Sequence, residues 1–202
     1  MLDRFYATKN FELVPLICNK MMASKETING RTIPDSSVIN AVILSIVTKV
    51  CNEKKRGAPE SATKDNVELL KEIAAYLNDE TRLCFLNSIV NELRYPNSHT
   101  FYFCMILLIL FYESTGIIKE QISTILFERL QAQRPYPWGL MINFRELIQN
   151  TKYGFMRSDF ISQNQIAIQY LFKHRLRLFI HFIQPQQLQQ HRLHMMNPVT
   201  VE

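Results

Sequence analysis

Along most of this chain, hydrophobic residues recur at intervals of three and four, the spacing that gathers them on one face of an α-helix. Val38, Ile39, Val42, Ile43, Ile46, Val47 and Val50 form one such stripe, and Asp35-Ser36 after Pro34 supplies a helix cap ahead of it. The run is too long for an ordinary strand. Val67, Leu70, Ile73, Ala74 and Leu77 make a second stripe; Leu83, Leu86, Ile89, Val90 and Leu93 make a third, with Asp79 as its expected cap. Phe101–Glu113 is apolar nearly all round, the pattern of a helix buried between neighbours, and Gly116 reads as its stop. Two further helices follow from Ile118, Ile122, Ile125, Leu126 and Leu130, and from Leu140, Met141, Phe144, Leu147 and Ile148. Residues 1–23 read as two short helical pieces divided by Pro15. Nothing alternates over more than a few residues, so no strand is expected. The pattern predicts an all-α fold of short-linked helices, a bundle or an α-solenoid, irregular because no internal repeat is visible.

Segments that break the periodicity carry the remaining information. Residues 52–64 read as an exposed connector, in which Lys54-Lys55-Arg56 is a solvated basic triplet or a weak targeting or nucleic-acid signal. Two other connectors hold proline, aromatic and basic residues where a generic loop carries Gly, Ser and Asp. They are Leu93-Arg94-Tyr95-Pro96-Asn97-Ser98-His99-Thr100 and Arg134-Pro135-Tyr136-Pro137-Trp138-Gly139-Leu140. Such residues fix the angle between helices and present an amphipathic surface. Gly139 is placed to open a helix whose first turn lies close to a neighbour. Trp138, the single tryptophan, either fills a gap between helices or anchors a partner. Arg94, Arg129 and Arg134 are interhelical ion-pair donors to Glu92, Glu128 or Glu146, or ligands for partner carboxylates or RNA phosphates.

Catalytic and cofactor signatures are missing from the sequence. No Gly-rich phosphate loop, nucleophile elbow or H-E-x-x-H motif occurs, so no cofactor, metal or small-molecule substrate is expected. His99, between Ser98 and Thr100, is the one imaginable general base; the simpler reading makes Ser98 a helix cap and His99 a backbone partner. His191-x-x-His194 lacks cysteine or acidic co-ligands. The four cysteines are scattered, without a C-x-x-C pair, as expected for buried thiols in a reducing intracellular compartment. The longest apolar run, Phe101 to Tyr112, is too short to span a membrane. The net charge of +5 is concentrated at one end: residues 151–202 hold 6 Lys+Arg against 2 Asp+Glu, whereas residues 1–150 hold 17 against 16. Residues 165–183 continue as a basic helix, and the Gln- and His-rich stretch beyond Pro185 reads as disordered.

The stretch from Leu83 to Leu147 closely resembles the carboxy-terminal Not domain of the large scaffold subunit of the Ccr–Not deadenylase complex. The residues that carry the likeness are Phe85-Leu86-Asn87, the run Leu93 to Thr100, Glu120-Gln121-Ile122, Glu128-Arg129-Leu130 and the run Arg134 to Leu140. Weaker similarity extends from about Asn40 to about Phe172. This resemblance implies a HEAT-like helical domain over residues 1–172, matching the latter half of the family domain, with residues 173–202 as a basic extension. The chain is then a fragment, a shortened paralogue or a mispredicted product. It further implies a non-enzymatic scaffold, cytoplasmic and nuclear, that docks Not-box subunits in support of mRNA deadenylation, mRNA decay, translational repression and transcriptional regulation. The motif positions carried over as partner-binding residues are Arg94, Tyr95, Pro96, Asn97, His99, Arg134, Pro135, Pro137 and Trp138. A scaffold of this kind is expected to expose an apolar groove or patch. The alternative is a nucleic-acid-binding adaptor that makes weak RNA contacts through its basic tail.

Overall fold

The structure, a computed structural model, describes residues 1–55, 60–132 and 136–171, and these form ten α-helices and one β-hairpin. Contacts divide the chain into two compact units, Met1–Asn143 and Phe144–Glu202. Arg56 of the basic triplet, Arg134, Pro135 and the whole extension from 173 to 202 lie outside the described residues. So do the metal and RNA expectations that rest on the extension, with His174, His181, His191 and His194.

The first unit begins with α1 (Leu2–Thr8), whose Phe5 is fully buried. A single 3-10 turn leads into α2 (Val14–Ala23). Pro15 falls in the first turn of α2, where its missing N–H costs nothing, and so it starts a helix rather than breaking one. The next element corrects the strand-free expectation. Lys25–Ile28 (β1) and Arg31–Pro34 (β2) pair antiparallel across Asn29-Gly30, both at positive φ. That dipeptide suits a two-residue turn matched to strand twist. The hairpin is pinned at its base, where the Asp35 N–H donates to the Ser24 carbonyl at 2.9 Å. Asp35 also caps α3 (Ser36–Lys55), accepting from the Ser37 hydroxyl at 2.6 Å and the Ser37 N–H at 2.9 Å. Those bonds, the hydroxyl foremost, hold its carboxyl below the usual range.

α3 packs against α4 (Glu60–Tyr76), α5 (Asp79–Asn91) and α6 (Ser98–Glu113), and so forms the spine of this unit. Its Ile39, Ile43, Ile46, Val47 and Val50 are buried, whereas Val38 and Val42 of the same predicted stripe are only half-buried. The expected connector over 52–64 is shorter than its composition suggested, because α3 runs to Lys55 and α4 starts at Glu60. α7 (Gly116–Ala132) lies on α5 and α6. Gly116 is the first residue of α7 rather than the stop of α6, which ends at an extended Ser114.

Two helix caps fall one residue earlier than expected. Asn78, not Asp79, accepts from the Thr81 N–H at 2.9 Å. Asn97, not Ser98, accepts from the Thr100 N–H at 2.9 Å. Asp79 instead pairs with Arg82, a residue outside every apolar stripe that is nonetheless only 8% exposed. The Arg82 guanidinium also donates to the Leu77 carbonyl at 3.1 Å and to Gln121 Oε1 at 2.9 Å, tying the end of α4 to α5 and α7.

In the second unit, the C-terminal half of α8 (Trp138–Gln149) supplies Phe144, whose ring meets Phe155 edge-on at 5.7 Å. Asn150 caps a 3-10 turn that ends at Gly154 in the left-handed region. α9 (Asp159–Gln163) and α10 (Gln165–Leu171) follow, and Ile166 on α10 is 86% exposed.

Truncating Arg82 to alanine strands the Leu77 carbonyl and Gln121, so Arg82→Ala is expected to cost about 2 kcal/mol. On a chain of this size that is a fall of about 4–8 °C in Tm. Asp79→Ala, which removes only the exposed end of the pair, is expected to shift Tm by less than about 3 °C in the same melting experiment.

Candidate functional site

The two proline-marked connectors, about forty residues apart in sequence, are bonded to each other in the first unit. The Trp138 N–H donates to the Arg94 carbonyl and the Gly139 N–H to the Leu93 carbonyl, each at 3.0 Å. Both ends profit. The first N–H groups of α8 have no partner within their own helix, and the carbonyls just past α5 have none within theirs. Joining them pairs two groups from each set.

That joint is possible because position 139 carries no side chain. A Cβ there would lie 2.8 Å from Thr100 Cγ2, 3.1 Å from Leu93 Cβ and 3.2 Å from Cys104 Sγ. The expectation that Gly139 opens a helix close to its neighbour therefore holds, with α6 and the end of α5 as the neighbours. Several polar groups around the contact are paired. Thr100 Oγ1 donates to the Glu92 carbonyl at 2.9 Å, and Asn143 Nδ2 donates to the Gly139 carbonyl at 3.0 Å. The Cys104 thiol donates to that same carbonyl at 3.7 Å. Burial pushes this thiol up to about 12, far from the thiolate a nucleophile requires.

Trp138 packs edge-on against Phe101 with ring centres 5.2 Å apart, half-buried at the start of α8. It therefore fills the gap between α6 and α8. Outward from the joint, Arg94, Tyr95, Pro96 and Asn97 are exposed, Tyr95 by 73%. The Asn97 side chain donates to the Tyr95 carbonyl at 3.2 Å while capping α6, so the loop is braced from within. His99 is half-buried on the first turn of α6, and Pro137 is half-buried beside Trp138. The structure thus brings together Arg94, Tyr95, Pro96, Asn97, His99, Pro137 and Trp138; Arg134 and Pro135 fall outside the described residues. Arg94 forms no ion pair among the described residues, and Arg129 donates to Asn87 Oδ1 at 3.3 Å.

A second surface escaped the sequence reading. An open cleft of about 450 Å³ runs between α1, α2 and the outer face of α3, lined by Leu2, Ile17, Met21, Val38, Ala41 and Val42, with Asp3 and Lys20 also at its walls. Its signal was the breadth of the α3 stripe, whose Val38 and Val42 exceed what one buried face needs. Among the described residues no three His, Cys, Asp or Glu side chains gather in a way that would hold a metal ion, and no helix is long and apolar enough to cross a membrane.

Known proteins share both sequence and fold with this chain. The family described as CCR4-Not complex component, Not1, matches residues 1–176. The chain is similar to the CCR4-NOT transcription complex subunit let-711 of Caenorhabditis elegans, with 40% identity over 134 residues, 63% of this chain and 5% of that protein. The chain thus spans about a twentieth of that relative's length. A solved NOT1 superfamily homology domain from Chaetomium thermophilum superposes with a TM-score of 0.68 and 27% identity, over 79% of this chain and 32% of that one. A Not1 C-terminal domain solved in complex with Not4 superposes with a TM-score of 0.72 over 83% of this chain and 36% of that one; at 23% identity it shows a shared fold.

Gly139→Ala is expected to destabilise by about 1–3 kcal/mol, because the new methyl group meets three atoms that are themselves packed. Adding Thr100→Ser removes the nearest of them, keeps the hydroxyl bond to Glu92, and is expected to recover part of the loss. Gly116→Ala, with nothing within 4 Å of the new Cβ, is expected to be neutral or slightly stabilising. Urea midpoints of the four proteins test the set.

Proposed function

The chain belongs to the Not1 family of CCR4-Not complex components, and on that premise we propose that it is a non-enzymatic scaffold segment that docks Not-box subunits. It serves, in this reading, mRNA deadenylation and decay, translational repression and transcriptional regulation, in cytoplasm and nucleus. The observation that carries the proposal is the joint between the connectors. It holds Arg94-Tyr95-Pro96-Asn97 rigidly on the surface, where an exposed tyrosine and arginine offer a partner large contact area at small entropic cost. The fold neighbour solved in complex with Not4 supports a protein partner on a domain of this kind. The proposed partner-binding residues are Arg94, Tyr95, Pro96, Asn97, His99, Arg134, Pro135, Pro137 and Trp138. Residues 1–172 act as the scaffold domain and residues 173–202 as its extension. RNA binding through the extension is the competing reading, and it would fall steeply with salt.

Affinity purification of the chain from native cells, with partners identified by mass spectrometry, is expected to recover Not-box subunits. The double change Arg94→Ala with Tyr95→Ala is expected to lower that recovery about tenfold, the effect of losing a modest hot spot, with Tm unchanged within about 2 °C. A folded wild-type chain that recovers no CCR4-Not subunit rejects the scaffold reading. Full recovery by the double variant rejects the connector as the docking surface. RNA retention abolished by deleting residues 173–202, without subunit recovery, favours the competing reading.

A further inference from the structure

The walls of the open cleft are unequally secured. α2 packs along α4, and α3 along α5, but no element packs broadly on α1 among the described residues. α1 buries one side chain, Phe5, whose ring meets Tyr6 and Phe11 edge-on at 5.6 and 5.2 Å. Seven residues are too few to hold a helix alone in water. α1 therefore keeps its shape only while it is seated, and loses seat and helix together.

Two further contacts tie α1 to the body, and both depend on charge. Lys49 Nζ of α3 stands 4.1 Å from the centre of the Tyr6 ring. Lys9 Nζ lies 3.2 Å from Asp65 of α4, the two side chains being 40% and 38% exposed. An ion pair so exposed is a weak fastening. Lys9 has a second part in the junction. It ends α1 in the left-handed region, at φ 52°, where glycine is the usual occupant, and its N–H donates to the Phe5 carbonyl at 2.6 Å. A residue with a β-carbon resists that conformation. The residue that strains the hinge is thus the one that fastens it: when the ammonium leaves Asp65, the backbone relaxes and the helix loses its C-cap.

We propose that α1 is a hinged strap, fastened by the Lys9–Asp65 pair, that opens as one unit about Lys9–Asn10 and carries one wall of the cleft with it. Met1, Leu2 and Asp3 form the departing wall. Ile17, Met21, Val38 and Val42 stay behind on α2 and α3. The first unit thereby alternates between a walled cleft and an open apolar strip, and a ligand that touches both walls holds the strap shut. This inference is independent of the docking reading.

Hydrogen exchange on the full chain tests it, with the amides of α3 as the measure of global unfolding. In the wild type, the amides of residues 5–9 are expected to exchange together, about 100-fold or more faster than those of α3. Asp65→Asn unfastens the strap and leaves Lys9 in place. It is expected to speed residues 5–9 about threefold, the effect of one exposed ion pair, with α3 unchanged. Lys9→Gly added to Asp65→Asn removes the strain and no further ion pair, and is expected to slow them again. Exchange of α1 at the rate of α3 overturns the strap, because α1 then leaves only with the whole unit. Rates graded inward from Met1 and unmoved by Asp65→Asn describe ordinary fraying and also overturn it. Faster exchange on adding Lys9→Gly refutes Lys9 as the strained hinge. Trypsin gives a second reading, since cleavage after Arg4 requires α1 to open. Asp65→Asn is expected to raise that cleavage rate about threefold, and an unchanged rate counts against the proposal.

Discussion

The contact on which the first unit most depends is the seating of the α8 N-terminus against the end of α5 and the first turns of α6. Two backbone hydrogen bonds of 3.0 Å make it, and a glycine makes it possible. With any other residue at position 139, the Thr100 methyl, Leu93 Cβ and Cys104 sulfur would all have to move. None is free to do so. Thr100 is bonded to Glu92 on one side and to the Asn97 cap on the other, and Leu93 and Cys104 are fully buried. In a close-packed interior such a conflict is transmitted rather than absorbed.

This arrangement also explains why the two connectors have the composition they do. A loop that only links two helices is satisfied with polar, flexible residues. Here each connector ends or begins a helix and must also offer backbone groups to the other, so its path cannot vary. Proline restricts φ, Asn97 closes the loop on itself through the Tyr95 carbonyl, and the Trp138 ring occupies the space beside Phe101. The rigidity that follows leaves Arg94 and Tyr95 exposed on a surface that loses little freedom when something binds it.

Much of this was legible in the residues, for reasons that differ by element. The long stripes of α3, α4, α6 and α7 reappear as the buried core because helical periodicity reports burial directly. Both connectors and the special role of Gly139 were visible, since Pro-Trp-Gly at the head of an apolar run has few other uses. That the connectors touch each other was not visible, because backbone pairing between distant segments leaves no side-chain signature. The hairpin was missed since its strands are four residues long and almost wholly exposed, so no alternation into a core exists; Asn29-Gly30 was the available signal. Asn78 and Asn97 displaced the expected caps because asparagine accepts from the first turn as well as aspartate or serine does. Arg82 was invisible to a hydrophobic stripe, which treats a charged residue as a marker of the outside.

Arg82 and Tyr102 show where apolar patterning stops being informative. Each is a polar residue in the interior, and each is tolerable only if every donor and acceptor it carries is met. Arg82 finds three partners within the protein, the Leu77 carbonyl, Gln121 and Asp79. The Tyr102 hydroxyl has no hydrogen-bond partner among the described residues. An apolar helix such as α6 gains nothing from a phenol that leucine or phenylalanine would not supply, unless the hydroxyl is used. Arg82 is a clamp that hydrophobic patterning cannot report, because what it contributes is directional bonding between helices rather than apolar area.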